Sequence, residues 1–558
     1  MSKEYKPNFT SEDILNTVLY KANGYSDDDL NRPMIGIANS FNEIVPGHSN
    51  LRQVAEFVKK GIYRAGGTAV EFGTIAICDG VATGHICNNF TLPSRDLIAF
   101  NVETMAKAHK LDGIVLLASC DKIVPGMIMG AIRAGIPAIF LAGGPMLSGA
   151  AFGEKSKADL STVAEAYGMY QIGKITKDEL FKLGTTCTPT CGSCQFYGTA
   201  NTMCCTTEAL GMSLPGSAAI PAVYSERFRA AQSTGEKIVE LVKKGIKPAD
   251  IITFKAIRNA IRYLMASGGS TNAVIHLCAI GHLVGINTDD IMKEFDKQSN
   301  IVPHIARINP ASNDWDMEDY YKAGGVPRVM EHLKSLIELD GMTVSGKTYG
   351  QNIEEYVYMY PANDDMVRTL ENPHSKLGGL AIMRGNLAPD TGVAKPAAIA
   401  KEVWQFTGEA ICFDSEEESL QALEDKKVKP GHVVVIRYEG PKGGPGMREM
   451  VATLKIMHGQ GLAKSAALIT DGRFSGTNNG CFVVHISPEA AACGPIALVK
   501  DGDKITIDVI NKELTLHISD EEMAKRKAEW KYEPKKLDGY LGIYAKLAKS
   551  ADKGGVIE

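Results

Sequence analysis

Apolar residues over the first 146 positions fall in short solid runs separated by stretches of helical spacing. The runs are Met34-Ile-Gly-Ile-Ala38, Ala69 to Ile77, Gly113-Ile-Val-Leu-Leu-Ala118 and Ile136-Pro-Ala-Ile-Phe-Leu-Ala142. Such runs read as strands buried on both faces. Between the first two, Leu51, Val54, Ala55, Val58 and Ile62 recur at helical spacing, which predicts a helix capped by Asn50 and closed at Gly66-Gly67. Ser94 is the expected N-cap of a second helix reaching about His109, and Met127 to Ala134 reads as a third. Residues 1–35 look helical and polar ahead of the first strand. Strands alternating with helices predict an α/β domain built on a mostly parallel sheet.

The pattern changes along the chain. Residues 150–183 read as polar helix, another helix spans about Thr199 to Leu210, and Gly268-Gly-Ser-Thr-Asn272 separates two helical segments. Residues 340–378 are irregular, with Pro361, Asn372-Pro373 and Gly378-Gly379. A boundary there divides the chain into 1–365 and 366–558. Beyond it, Gly431 to Tyr438, Ala466 to Thr470 and Cys481 to Ile486 are short apolar runs between Gly-rich loops. Ile505, Ile507 and Val509 alternate with polar residues, as do Leu514, Leu516 and Ile518, with Asn511-Lys512 as a hairpin turn between them. The second domain is therefore expected to be a β-barrel or sandwich, with a closing helix from Ser519 to Trp530.

At 558 residues the chain exceeds what one core organises. A net charge of −5 and a pI near 6.2 leave no basic footprint for nucleic acid. No stretch approaches the roughly 20 apolar residues of a membrane helix, and Met-Ser-Lys-Glu-Tyr-Lys-Pro lacks a signal peptide's apolar core. A cytoplasmic protein is expected. In that compartment disulfides are disfavoured, so the concentration of nine of twelve cysteines between residues 78 and 278 points to metal or redox chemistry.

Two expected strands end in Cys-Asp: Cys78-Asp79 after Ile77, and Cys120-Asp121-Lys122 after Ser119. Ligands of open parallel sheets bind outside the carboxyl ends of the strands. Paired there, a thiol and a carboxylate can serve a soft and a hard metal together. Cys187, Cys191 and Cys194 follow a C-x3-C-x2-C spacing. That spacing alone fits an iron–sulfur cluster, including the loop of radical S-adenosylmethionine enzymes, but also a zinc-stapled scaffold or ordinary buried thiols.

Segments spread through the chain resemble the dihydroxyacid dehydratase / 6-phosphogluconate dehydratase family. They include Asn42-Glu-Ile-Val-Pro-Gly-His48, Cys78-Asp-Gly80, Leu92-Pro-Ser-Arg95, Cys120 to Gly126, Cys191-Gly-Ser-Cys194 and Gly268 to Asn272. The second domain adds Gly385 to Asp390, Tyr438 to Gly446, Asp471-Gly-Arg-Phe-Ser-Gly476 and Ile486 to Ala490. The resemblance implies a hydro-lyase that converts 2,3-dihydroxy acids to 2-keto acids, using an iron–sulfur cluster and Mg²⁺. It also implies an α/β domain followed by a β-barrel like the mobile domain of aconitase, in a homodimer or a dimer of dimers.

Carried over position by position, the resemblance makes Cys120 and Cys194 cluster ligands. Asp79, Asp121 and Glu449 become Mg²⁺ ligands, Lys122 a carboxylated lysine, Ser475 the base and Thr477 a supporting hydroxyl. Gly47 stands where members with a 2Fe-2S cluster often carry a cysteine. The third thiolate is then expected from Cys78, with Cys187 or Cys191 as runner-up, and a 4Fe-4S cluster is the other nuclearity. Arg448 replaces a common proline and Asn478-Asn479 also depart, changes that would fit a sugar acid. The expected activity is branched-chain dihydroxy-acid dehydration for valine and isoleucine synthesis. The alternative substrates are xylonate, gluconate and 6-phosphogluconate.

Overall fold

The computed structural model describes residues 11–153, 155–476 and 480–557. Strands β1 (Met34–Asn39), β2 (Thr68–Gly73), β3 (Gly113–Ala118) and β4 (Ala138–Ala142) form an all-parallel sheet in the order β2-β1-β3-β4. Every residue of β3 and β4 is buried, as their unbroken apolar runs require. The helices Leu51–Arg64 and Ile123–Ala134 carry the chain from β1 to β2 and from β3 to β4. Those crossovers run outward in opposite directions from the sheet centre, so right-handed connections place them on opposite faces. Between β1 and β3 the strand order reverses. A crevice opens there beyond the strands' carboxyl ends.

Two expected boundaries move, and one expected cap is not made. The strand predicted over Ala69–Ile77 stops at Gly73, where β1 ends opposite it at Asn39. Past that point the segment has no neighbour to pair with, and Ile75 is exposed, so Cys78 lies five residues beyond the strand. The helix assigned to Ser94 begins at Thr91; Ser94 sits inside it and donates to the Thr91 carbonyl. Asn50 does precede its helix, yet its side chain donates to the Gly143 carbonyl across the crevice instead of capping.

The second region is a closed barrel in the order β10-β6-β5-β12-β11-β7-β8-β9. Its strands are β5 (Ala381–Gly385), β6 (Ala388–Ala394), β7 (Gln405–Phe413), β8 (His432–Ile436), β9 (Ala467–Thr470), β10 (Cys481–Ser487), β11 (Lys504–Asp508) and β12 (Glu513–Leu516). The β11–β12 hairpin turns through residues 509–512, and Ile505, Ile507, Leu514 and Leu516 face inward. Strands β7, β8, β9 and β10 run parallel in sequence, with β8, β9 and β10 almost wholly buried. The helices Glu416–Glu424 and Val451–Gly459 pack on this side. A helix over Asp520–Glu529, capped by Ser519, follows the barrel.

The barrel meets the α/β region along polar contacts. Asn89 Nδ2 donates to the Gly444 carbonyl at 2.9 Å, and Arg473 reaches Thr91 Oγ1 at 3.1 Å. Gly446, at φ +91°, has its Cα side closed by the Asn89 carbonyl, so no side chain fits there. Among the described residues, no helix is long and apolar enough to cross a membrane.

Candidate active site

The crevice at the end of β3 becomes a closed site because the chain around it is held rigidly. His48, fully buried, follows β1. Its Nε2 accepts the backbone N–H groups of Ser119 and Cys120, both at 3.1 Å. Nδ1 must therefore carry the proton, which it donates to the Ser40 carbonyl at 2.9 Å. Burial lowers the His48 pKa to about 4, which keeps the imidazole neutral and this tautomer in place. One ring thus orients the backbone that presents Cys120. Gly47 lies against the same sulfur: a Cβ there would stand 2.7 Å from Cys120 Sγ.

Three thiols converge on that point. Cys120 shares a hydrogen bond with Cys78. As the bond's acceptor Cys78 is shifted down, while Cys120 is pushed well up by that bond and by burial. Burial raises Cys194 too, and the Cys78 and Asp121 charges add to it. All three line one cavity of about 460 Å³. Cys187 and Cys191 do not: Cys187 packs in a separate apolar cluster with Ala158, Ala166 and Leu183. The C-x3-C-x2-C loop therefore does not bring all three of its cysteines to this cavity, contrary to the radical-enzyme reading; Cys78, and neither Cys187 nor Cys191, lines it with Cys120 and Cys194.

Asp79, Asp121 and Glu449 form a carboxylate triad whose ligand oxygens lie within 4.8 Å of one another. Lys122, wholly buried behind them, bonds to Asp79, lies 2.7 Å from Asp121 and 3.8 Å from Glu449. Burial, with the Asp121 charge, raises the Asp79 carboxyl to about 6 despite Lys122 and Arg473. Glu449 precedes the helix Val451–Gly459 and is buried. Its backbone N–H donates to Asn88 Oδ1 at 3.0 Å, and its carboxylate accepts from Asn272 and, at 2.9 Å, from Arg473. Ser475, on the loop after β9, also lines the cavity. Thr477 lies outside the described residues.

The donor sets fit two different metals. One oxygen on each carboxylate (Asp79 Oδ1, Asp121 Oδ1, Glu449 Oε2) is buried without a hydrogen-bond partner. Buried acceptors left open in this way suit a hard divalent cation such as Mg²⁺. The three thiols suit iron. Leu160, Val163, Leu180, Phe196, Val451 and Ile456 line the same cavity as an apolar wall. Lys455 is the only ammonium lining the cavity among the described residues, and Glu165 already holds it at 2.6 Å.

Other residues of the site escaped the sequence reading. Arg473 spans Glu449 and Asp79, the latter at 3.7 Å. His276 stands 3.7 Å from Asp121, and Asn272 joins Glu449 to Thr199. All are fully buried polar groups, but sequence spacing could not reveal that they meet. The Arg448 departure has a different meaning from the one expected. Arg448 turns into a cluster of acids, 3.1 Å from Glu416 and 2.7 Å from Glu417, and does not line the cavity. It carries no signal for a sugar acid. Asn478 and Asn479 lie outside the described residues.

Comparison with known proteins identifies the family over most of the chain. Residues 32–352 match the family model described as dihydroxy-acid/6-phosphogluconate dehydratase N-terminal, and residues 365–555 match the C-terminal one. A protein named dihydroxy-acid dehydratase from Acetivibrio thermocellus is 51% identical over 97% of both chains. One of the same name from Caldanaerobacter subterraneus subsp. tengcongensis is 50% identical over 97% of this chain and 96% of its own. Another, from Pyrococcus furiosus, is 49% identical over 97% of each.

Proposed function

Because the chain belongs to the dihydroxy-acid/6-phosphogluconate dehydratase family, we propose that it dehydrates branched aliphatic 2,3-dihydroxy acids to 2-keto acids in valine and isoleucine synthesis. The observation that carries the choice of substrate is the apolar wall in the cavity of the carboxylates and thiols. An alkyl branch at C3 gains by leaving water for such a wall, by about 25 cal/mol per Å². The polyol of a sugar acid would lose hydrogen bonds there. A phosphate would find its one candidate partner, Lys455, already paired.

The residues divide the work. Cys78, Cys120 and Cys194 would hold an iron–sulfur cluster, and Asp79, Asp121 and Glu449 would hold Mg²⁺. When bound, these groups supply a Lewis acid for the departing 3-hydroxyl and positive charge for the enolate-like oxygens. Ser475 takes the C2 proton as an alkoxide. Arg473 and Asn272 hold Glu449 in its direction, and His48 holds Cys120. Carboxylation of Lys122 would turn the one cation among the three acids into another oxygen donor.

The division of the chain at 365/366 goes with this division of roles and is supported by the two family segments. Twelve free cysteines suit the reducing cytoplasm, and a homodimer or dimer of dimers is the expected assembly. The test is a side-by-side assay of anaerobically purified enzyme on 2,3-dihydroxy-isovalerate, gluconate, xylonate and 6-phosphogluconate. Branched-acid kcat/KM should lead by at least about 10²-fold, the discrimination a hydrophobic pocket shows against a single added hydroxyl. Preference for any sugar acid refutes the choice of substrate.

A further inference from the structure

One buried cation has no part in the site described so far. Lys395 follows β6, is wholly buried, and its Nζ has no hydrogen-bond partner among the described residues. Its stem lies against Gly476, the residue after Ser475. A Cβ at Gly476 would stand 2.5 Å from Lys395 Cδ and 3.4 Å from its Cβ. Gly476 is at φ +79°, so the loop both needs glycine there and uses the missing side chain to admit the lysine.

The titratable groups that face Lys395 are Lys455, from the helix Val451–Gly459, and His304, beside Gly268. Neither offers negative charge, and no described carboxylate forms an ion pair with it. Burial, reinforced by Lys455, brings the Lys395 pKa down to about 7. His304 is itself driven to about 3 by burial, so it stays neutral.

We propose that Lys395 is the base for Ser475, a positioning residue that acts on the substrate only through that serine. The stem of Lys395 passes Gly476, and a turn about its last bonds brings the unpartnered Nζ to Ser475 Oγ, whose proton its lone pair takes, leaving an alkoxide beside an ammonium. The alkoxide then takes the C2 proton and, once the 3-hydroxyl leaves, returns it to that hydroxide as water. The ammonium persists as counter-charge through the cycle. This explains how a serine, far too weak a base at its ordinary pKa, becomes an alkoxide at neutral pH. It also explains why a lysine is buried with nothing to neutralise it. The proposal rests on Ser475 being the base of a dehydratase.

The experiment compares Lys395→Met, Lys395→Ala and Ser475→Ala with the parent, all anaerobically purified and iron-loaded, on 2,3-dihydroxy-isovalerate from pH 5.5 to 9. Parent kcat should rise with pH through about 7 as the amine loses its proton. Lys395→Met should lower kcat by about 10²–10⁴-fold with KM changed less than about threefold, and that limb should vanish. In Lys395→Ala, propylamine should restore turnover in proportion to its unprotonated fraction, a response that a packing defect would not give. Parent-like kcat and acid limb in Lys395→Met overturn the proposal. Should that variant not fold, an absence of amine rescue in folded Lys395→Ala with parent KM overturns it equally. Full activity in Ser475→Ala instead overturns the reading on which it stands, so the two failures are told apart.

Discussion

Replacing Glu165 by Gln tests how the apolar wall is held in place. Glu165 lies on the helix Leu160–Gln171, Lys455 on Val451–Gly459, and their 2.6 Å bond ties the two helices that carry the wall. Burial by itself would raise the Glu165 carboxyl, but Lys455, Lys155 and His458 together hold it at about 2 against an ordinary 4.5. Holding a carboxyl at about 2 instead of 4.5 corresponds to roughly 3–4 kcal/mol, at about 1.4 kcal/mol for each tenfold change in acidity. The folded value lies below the unfolded one. The contribution is therefore complete above about pH 4.5 and disappears as pH falls toward about 2. Lys455 is shifted against its partner: burial lowers its ammonium despite Glu165. That cost is present wherever Lys455 is charged and does not change between pH 2 and 7, so the difference between parent and variant along the acid limb follows the Glu165 carboxylate.

At pH 7 Glu165→Gln loses the carboxylate's contribution while keeping the buried ammonium. About 2.1 cal/mol/K per residue for 558 residues is roughly 1.2 kcal/mol/K. A loss near 3 kcal/mol then lowers Tm by about 3 °C. Calorimetry of parent and variant at pH 7, 5, 4 and 3 should show that gap narrowing as the parent's own carboxylate is protonated. Adding Lys455→Met should recover most of the loss, because a methionine of similar length fills the space without a stranded buried charge. A Glu165→Gln variant that melts within about 0.5 °C of the parent at pH 7, with an unchanged acid limb, refutes the reasoning.

Three further outcomes follow from the site. Ser475→Ala should retain iron and KM while kcat falls by several orders of magnitude, read in steady-state kinetics beside metal analysis. Cys78→Ser should lose iron and the visible absorption of the cluster, whereas Cys191→Ser should keep both. Equal iron in the two would remove Cys78 from the ligand set. Gly47→Ala puts a methyl 2.7 Å from Cys120 Sγ and 3.3 Å from the Ser193 backbone. It should cost about 1–3 kcal/mol by overpacking and lower iron retention, since metal–sulfur distances tolerate only about 0.2 Å; an alanine variant with full iron content contradicts that packing.

Much of this molecule could be read without coordinates, and the reasons are local. A buried parallel strand has no polar face, so β3 and β4 announce themselves as solid apolar runs. The Cys120-Asp121-Lys122 triplet sits where such a strand must end. Alternation placed β11 and β12 for the same kind of reason. Where the local signal was mixed, the reading failed. Strand β6 contains Pro389, Asp390 and Gly392, and β7 contains Gly408, so neither was anticipated. The apolar run of β2 continued in sequence after its partner strand had ended.

Composition and spacing therefore determined the strand-and-helix alternation, the change to a β-rich second half, and the residue types able to bind metal. Only the folded chain decided which of them meet. Asp79 and Glu449 are 370 positions apart in sequence, and their closeness depends on Asn88, Asn272 and Arg473 docking the barrel against the sheet. It also decided that Cys78 rather than Cys191 approaches Cys120, that Arg448 turns away, and that Lys395 is left without a partner against Gly476. Side-chain periodicity records which face of an element is buried, but nothing in it records what that face is buried against.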